Sequence, residues 1–216
     1  MTGRTVIIAG ATGLVGREIL NGLLADRGVA AVLSVGRRPP DIVHSKLTSH
    51  VVDFANMSEL PPADEVYLAL GTTIKVAGSQ AAFRAVDFDA NLAVAKAAVV
   101  AGVKYAGLVS AMGADANSKI FYSRTKGELE DALTDLPFKG LVIARPSMLE
   151  GNRAALGQTA RRGERWASAL GNVLGFLIPA NYRPIKSAAV ARALLSAVPS
   201  AKDCKVVLSG EMQQPA

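Results

Sequence analysis

Cysteine occurs once in this chain, at Cys204, so an internal disulfide is excluded and the fold must rest on its core. A lone thiol suits a reducing compartment, and the cytoplasm is the expected location. Histidine occurs twice, at His44 and His50, in a polar stretch with no cysteine or carboxylate cluster. Both read as loop residues at the surface, and no metal site is expected. Aromatic residues are only 5% of the chain and the basic residues are scattered, so the net charge of +6 does not describe a nucleic-acid face. The densest basic run, RRGER from Arg161 to Arg165, reads as a solvated helix face. No apolar run reaches the ~18–20 residues of a membrane span; VLGFLIPA is too short and ends at Pro179. The opening MTGRTVIIAG leads into a glycine loop rather than a cleavage site, so no secretory signal is expected. What the chain does have is apolar material: 50% hydrophobic against 19% charged residues over 216 positions, enough to fill one large domain.

Short apolar runs alternate with longer helical patterns. TVIIA (Thr5–Ala9), AVLSV (Ala31–Val35), HVVDF (His50–Phe54), EVYLAL (Glu65–Leu70), YAGLVS (Tyr105–Ser110), Lys139–Ala144 and KVVLS read as strands. Between them lie a helix over LVGREILNGLLAD with Leu14, Ile19, Leu23 and Leu24 on its apolar side, and a long alanine-rich helix over Ser79–Ala101. Further helices are expected at Ser118–Leu136, Gln158–Leu170 and Ser187–Val198. Only NMSELPPAD separates strands three and four, too little for a full crossover helix. Continuous apolar strands separated by helices predict an α/β fold: a doubly wound parallel sheet covered on both faces. One domain over 1–216 is expected, with a small C-terminal lobe at about 146–216.

The first strand runs into GATGLVG, with Gly10, Gly13 and Gly16 opening a helix. In this context the glycines permit a tight turn, a close approach of backbone to a pyrophosphate, and close helix–sheet packing, while the helix N-terminus supplies N–H donors. The second strand ends in SVGRRPP. An acidic residue here would favour NAD by accepting from the adenosine ribose; Arg37 and Arg38 instead favour NADP, since a guanidinium can bind a 2′-phosphate. Asp53, ending the third strand, is expected at the adenine edge.

In FYSRTKGELE, Tyr122 precedes Lys126 by four positions, so both can address one point from a helix face. The same spacing recurs at Tyr182 and Lys186, but Pro184 between them breaks helical presentation. Ser110 closes the fifth strand, twelve positions before Tyr122, and ligands of doubly wound sheets bind beyond such strand ends. A nearby ammonium favours a phenolate, so Lys126 is expected to lower the pKa of Tyr122 and make it a general acid/base; the Ser110 hydroxyl can hold a carbonyl oxygen.

Together GATGLVG, the Ser110 strand end and YSRTK resemble the short-chain dehydrogenase/reductase superfamily. The longer wording LGTTIKVAGSQAAFRAVDFD, LVSAMGAD, FYSRTKGELE and IARPSMLEGNR is similar to its atypical branch of Tat-interacting-protein-like oxidoreductases, near the NAD-dependent epimerase/dehydratase and NmrA-like groups. The resemblance covers nearly the whole chain. It implies a single NAD(P)-binding Rossmann domain over 1–216, with substrate-binding elements from about 146 to 216, and an oxidoreductase with bound NADP(H), or less readily NAD, acting on a small carbonyl or alcohol. It implies a catalytic set of Ser110, Tyr122 and Lys126, with Lys126 also holding the ribose. The implied cofactor contacts are Gly10, Ala11, Thr12, Gly13, Leu14, Val15 and Gly16 of the loop, then Arg37, Arg38, Asp53 and Phe54. Leu70, Gly71 and Thr72 would follow strand four, and Arg145 and Pro146 strand six, beside the same Ser110, Tyr122 and Lys126.

Many relatives carry two consecutive hydroxyl residues where this chain has Ser110 and Ala111, so Thr72 or Ser147 is kept as an alternative carbonyl partner. Trp166, Phe176 and Leu177 are candidate pocket walls. A cofactor-sensing scaffold without turnover and a sugar-nucleotide epimerase or dehydratase stay open beside the oxidoreductase. So does pairing of two copies through the alanine-rich helix.

Overall fold

The computed structural model describes residues 3–150 and 179–214. The expected helix at Gln158–Leu170, the RRGER run and the wall candidates Trp166, Phe176 and Leu177 lie outside the described residues. Seven strands form one parallel sheet in the order β3-β2-β1-β4-β5-β6-β7. They are β1 Arg4–Ala9, β2 Val29–Gly36, β3 Leu47–Val51, β4 Glu65–Leu68, β5 Tyr105–Val109, β6 Gly140–Arg145 and β7 Asp203–Leu208. The strand order reverses between β1 and its two neighbours, β2 and β4, which opens a crevice at the carboxyl ends of β1 and β4. This is the expected Rossmann arrangement.

Period-two alternation decides which layer each side chain joins. Val6 and Ile8 face one core with α1 (Leu14–Ala25) and α6 (Ser187–Ala197). Ile7 and Ala9 face the other, with α4 (Asn91–Val100) and α5 (Phe121–Thr134). Both faces are covered, which is why the strands read as unbroken apolar runs.

Three details differ from the sequence reading, and a fourth agrees with it. Leu14 is half exposed, because it sits at the first turn of α1, over the loop rather than over the sheet. The third strand begins earlier and ends at Val51, so His50 lies in a strand, while Phe54 opens a short 3₁₀ turn, Phe54–Asn56, capped by Asp53. The segment before β5 is not one uniform helix. After a short turn α2 (Ile74–Ala77), α3 (Gln80–Arg84) passes through a π turn, Ala85–Ala90, into α4. Tyr182 ends a 3₁₀ turn and Lys186 is extended before α6, so that pair shares no helix face.

Beyond the sheet, Leu149 and Ile185 form a parallel bridge, and Ser209, at the start of α7 (Ser209–Met212), donates to Ser147 at 2.9 Å. Among the described residues no helix is long and apolar enough to cross a membrane.

Candidate functional site

The loop after β1 is shaped by three glycines with three different requirements. Gly10 has φ +89°, and a Cβ there would lie 2.4 Å from the Ala69 carbonyl oxygen, so the β1–β4 crevice admits only glycine. A Cβ on Gly16 would lie 2.0 Å from the Gly10 oxygen: α1 packs directly on the loop. Gly13 differs. Its φ of −78° is ordinary, and a Cβ would come no nearer than 3.4 Å to any protein atom. The fold therefore accounts for Gly10 and Gly16 but makes little demand for glycine at Gly13. Bare backbone at a helix N-terminus, with no capping side chain on the α1 amides, fits a phosphate-bearing ligand at that point.

This contrast predicts a separation of effects. Gly13→Ala should melt close to the parent while losing dinucleotide affinity by about tenfold or more, the affinity equivalent of about 1.4 kcal/mol. Gly16→Ala should lose both, because its Cβ meets backbone that cannot move aside. Thermal melting and cofactor titration of the two variants check this.

Beside the loop a cleft of about 550 Å³ is lined by Ala11, Thr12, Arg17, Arg38, Pro39, Pro40, Asp41 and Ile42. Arg38 stands where the sequence reading expects a phosphate contact. Arg37 is exposed at the same strand end but does not line the cleft. Arg17, in the first turn of α1, joins Arg38 and was missed in the sequence reading. Neither guanidinium has a side-chain partner among the described residues, and Asp41 supplies one opposing carboxylate. Asp53 accepts from the Ala55 amide and from Asn56, both at 3.0 Å. These bonds, that of Asn56 first, hold its carboxyl below the usual range, so it is present as a turn cap.

The chemistry-bearing end lies between α5, the π turn and the loop after β4. Lys126 is buried, and its ammonium meets Asp87 Oδ1 at 2.7 Å; the two side chains are 5% and 1% exposed. The other oxygen, Asp87 Oδ2, accepts the Thr72 amide at 2.8 Å. Gly71 lies against the same carboxylate, and Leu70 gives its carbonyl to Asn91 Nδ2 at 3.1 Å. Tyr122 packs its ring on Phe83, with centroids 5.5 Å apart, and remains 36% exposed. Its hydroxyl has no partner among the described residues. Burial is the largest influence on the phenol and pushes its pKa up; Lys126 pulls it down and Asp87 pushes it up again. The net direction is upward, opposite to the expectation, because burial outweighs the ammonium that was to lower it, with Asp87 adding to the rise.

Ser110 also departs from its expected role. It is buried at the end of β5, but its hydroxyl donates to Glu130, which is clamped in turn by Arg145 Nε at 3.1 Å. A proton committed to a buried carboxylate does not address a substrate carbonyl. Arg145 is spent on the same carboxylate rather than on a cofactor, and its guanidinium is held protonated by that contact. Pro146 is buried beyond β6, its carbonyl accepting from Met112 at 2.8 Å. Of the alternative hydroxyls, Ser147 donates to the Arg183 carbonyl and accepts from Ser209. Thr72 makes only a 3.5 Å contact to its neighbour's carbonyl, and so is the one left available among the candidates named. No group of three or more metal-ligating side chains occurs among the described residues.

No family model matches the chain. Among curated proteins it is 38% identical over 189 residues to "Protein FMP52, mitochondrial" of Coccidioides immitis, covering 80% of this chain and 75% of that one. It is 34% identical over 221 residues to the protein of the same name in Candida albicans, covering 96% and 95%. Among solved structures, a short-chain dehydrogenase/reductase family oxidoreductase from Burkholderia thailandensis superposes with a TM-score of 0.67 at 18% identity, covering 99% of this chain and 94% of that one. MoeE5 in complex with UDP-glucose and NAD gives 0.67 at 16%, covering 94% and 75%. At these identities the structural likeness establishes the fold alone. The relatives' names overturn the cytoplasmic expectation, since they are called mitochondrial. The physical reason is plain: one exposed thiol, Cys204, excludes an internal disulfide but does not tell one compartment from another.

Proposed function

This chain belongs to the family of the FMP52 proteins, and on that premise we propose that it is an NADP-dependent oxidoreductase of the short-chain dehydrogenase type acting on a small carbonyl or alcohol. The observation that carries the reading is the Tyr122 hydroxyl, without a partner among the described residues, beside a buried, fixed ammonium at the carboxyl end of a Rossmann sheet. NADP(H), when bound, would supply or accept a hydride. This chain's residues do the rest. Tyr122 gives its phenolic proton to the carbonyl oxygen as hydride reaches the carbon, or takes it back from an alcohol. Thr72 is the hydroxyl that can hold that oxygen. Lys126 carries the positive charge beneath the pair. The Gly10–Gly16 loop takes the pyrophosphate, and Arg17 and Arg38 take the 2′-phosphate. MoeE5 and two other solved neighbours are described with NAD, which supports a nicotinamide dinucleotide in general; the choice of NADP rests on the two arginines.

We place the chain in the Tat-interacting-protein-like branch, as one Rossmann domain over 1–216 whose elements after about residue 146 shape the substrate pocket. Pairing of two copies through the α3–α4 segment is part of the same proposal.

A carbonyl panel with NADPH and NADH tests the reading: NADPH should be consumed faster. Arg38→Ala should erode the preference for NADPH by about tenfold or more, since charge-assisted bonds of this kind contribute about 1.5–3 kcal/mol each. Equal use of both cofactors by the parent would remove the assignment of the arginines. One specific observation favours a second reading, a cofactor sensor without turnover: Ser110 is engaged by Glu130 and Ala111 has no hydroxyl, so carbonyl polarisation rests on Thr72 alone. A parent that binds NADPH, never consumes it, and binds a protein partner differently with NADPH and NADP would favour the sensor.

A further inference from the structure

The π turn Ala85–Ala90 interrupts an otherwise regular helix at the residue that meets Lys126. A wide turn of this kind frees backbone carbonyls from their usual partners. Asn91 holds the distortion in place: its Nδ2 donates to the Asp87 carbonyl at 3.0 Å, to Val86 at 3.4 Å and to Leu70, across the gap, at 3.1 Å. Asn91 is fully buried, so the staple is built into the core. Its effect is to aim Asp87 into the site, where one carboxylate oxygen takes the Lys126 ammonium and the other the Thr72 amide. The charges that bear on the Tyr122 phenol are therefore Lys126 from its own helix and Asp87 from the facing turn.

Resting on the oxidoreductase reading, we infer that Asp87 is the positioning residue of this site: it ties the cofactor-side loop to the Tyr122 helix through Lys126 and balances the charge of that ammonium, so the free site is set to donate a proton. That is the form a carbonyl reductase needs, and it runs against a site primed with phenolate for alcohol oxidation. The sign follows from charge. With Asp87 ionised, Lys126 and Asp87 together are neutral, and loss of the phenolic proton would leave a net negative charge in a partly buried place. With Asp87 made neutral, the same loss cancels the ammonium instead.

The test is Asp87→Asn in the full chain, which keeps an acceptor for the Thr72 amide and removes the charge. Phenolate formation is followed by near-ultraviolet difference absorbance, and the Tyr122 step is obtained by subtracting each protein's Tyr122→Phe counterpart. Circular dichroism at each pH restricts the comparison to folded chain. The Tyr122 step should move to lower pH in Asp87→Asn and to higher pH in Lys126→Gln. A role confined to packing would move neither, and an unmoved step in Asp87→Asn overturns the inference. Should Asp87→Asn not fold, the double variant Lys126→Gln/Asp87→Asn is compared with Lys126→Gln alone; the step must lie lower in the double, and coincidence of the two overturns the inference. Turnover is a separate readout. A parent that never consumes NADPH removes the oxidoreductase reading and leaves the titration result standing.

Discussion

Replacing Tyr122 by phenylalanine is expected to lower carbonyl-dependent NADPH consumption by about 10²–10⁴-fold, the usual contribution of a positioned general acid. Stability and cofactor affinity should stay close to those of the parent. The ring keeps its packing on Phe83, and the lost hydroxyl has no partner among the described residues, so its removal orphans no donor or acceptor there. The pH dependence is set by the direction of the phenol's displacement. A free tyrosine ionises near ~10, and the one in this site is raised by burial first, despite Lys126. The proton donor is thus present throughout the neutral range, and the reduction rate should fall only as pH rises through the raised value. Oxidation of an alcohol shows the opposite slope, gaining as the phenolate forms. Stopped-flow NADPH absorbance, cofactor titration and a thermal melt of the two proteins are sufficient. Full turnover in Tyr122→Phe would leave the tyrosine no part in the chemistry.

How far the sequence could be read depends on whether a feature is local. The Gly10–Gly16 loop was legible because its requirement is written in consecutive residues, and the structure adds which glycine the fold does not need. The strands were legible because both faces of the sheet are covered, leaving no polar alternation to confuse them. Ser110 was the opposite case. Its partner Glu130 comes from α5, twenty positions on, and Arg145, which holds Glu130, comes from β6; no spacing rule couples a strand end to those two elements. Asp87 was hidden differently. VDFD sits inside an alanine-rich helical pattern, and a π turn leaves no periodic signature. The unusual feature available in the sequence was a pair of polar residues, Asp87 and Asn91, four apart on a helix with otherwise apolar buried positions. Arg17 carried a local signal, since it is the residue directly after the third glycine and so belongs to the first turn of the helix that the glycine loop opens. That Tyr182 and Lys186 share no helix face was legible because proline decides helical presentation locally.

The Lys126–Asp87 contact leads to the largest expected loss of stability. Lys126→Met should destabilise the chain by about 3–5 kcal/mol, because it leaves a carboxylate at 1% exposure with the Thr72 amide as its remaining partner. For a chain of this size that corresponds to a fall in melting temperature of roughly 2–4 °C per kcal/mol. The loss is not a measure of what the pair contributes, since burying both charges also carries a cost in water left behind. Lys126→Met/Asp87→Asn separates the two. It removes both charges, keeps an acceptor for Thr72, and fills the space of the lysine stem with an apolar chain of similar reach. The double variant should therefore melt well above Lys126→Met, by an interaction of the size seen for contacting residues, about 0.5–3 kcal/mol. A double variant no more stable than the single one would mean that Asp87 does not depend on Lys126 for its burial. In that event the pair would be a surface-like contact of small worth. With recovery, the site contains a charge pair whose cost the fold accepts at one place, directly beneath the phenol, where an electrically balanced but polar floor is what a proton donor requires.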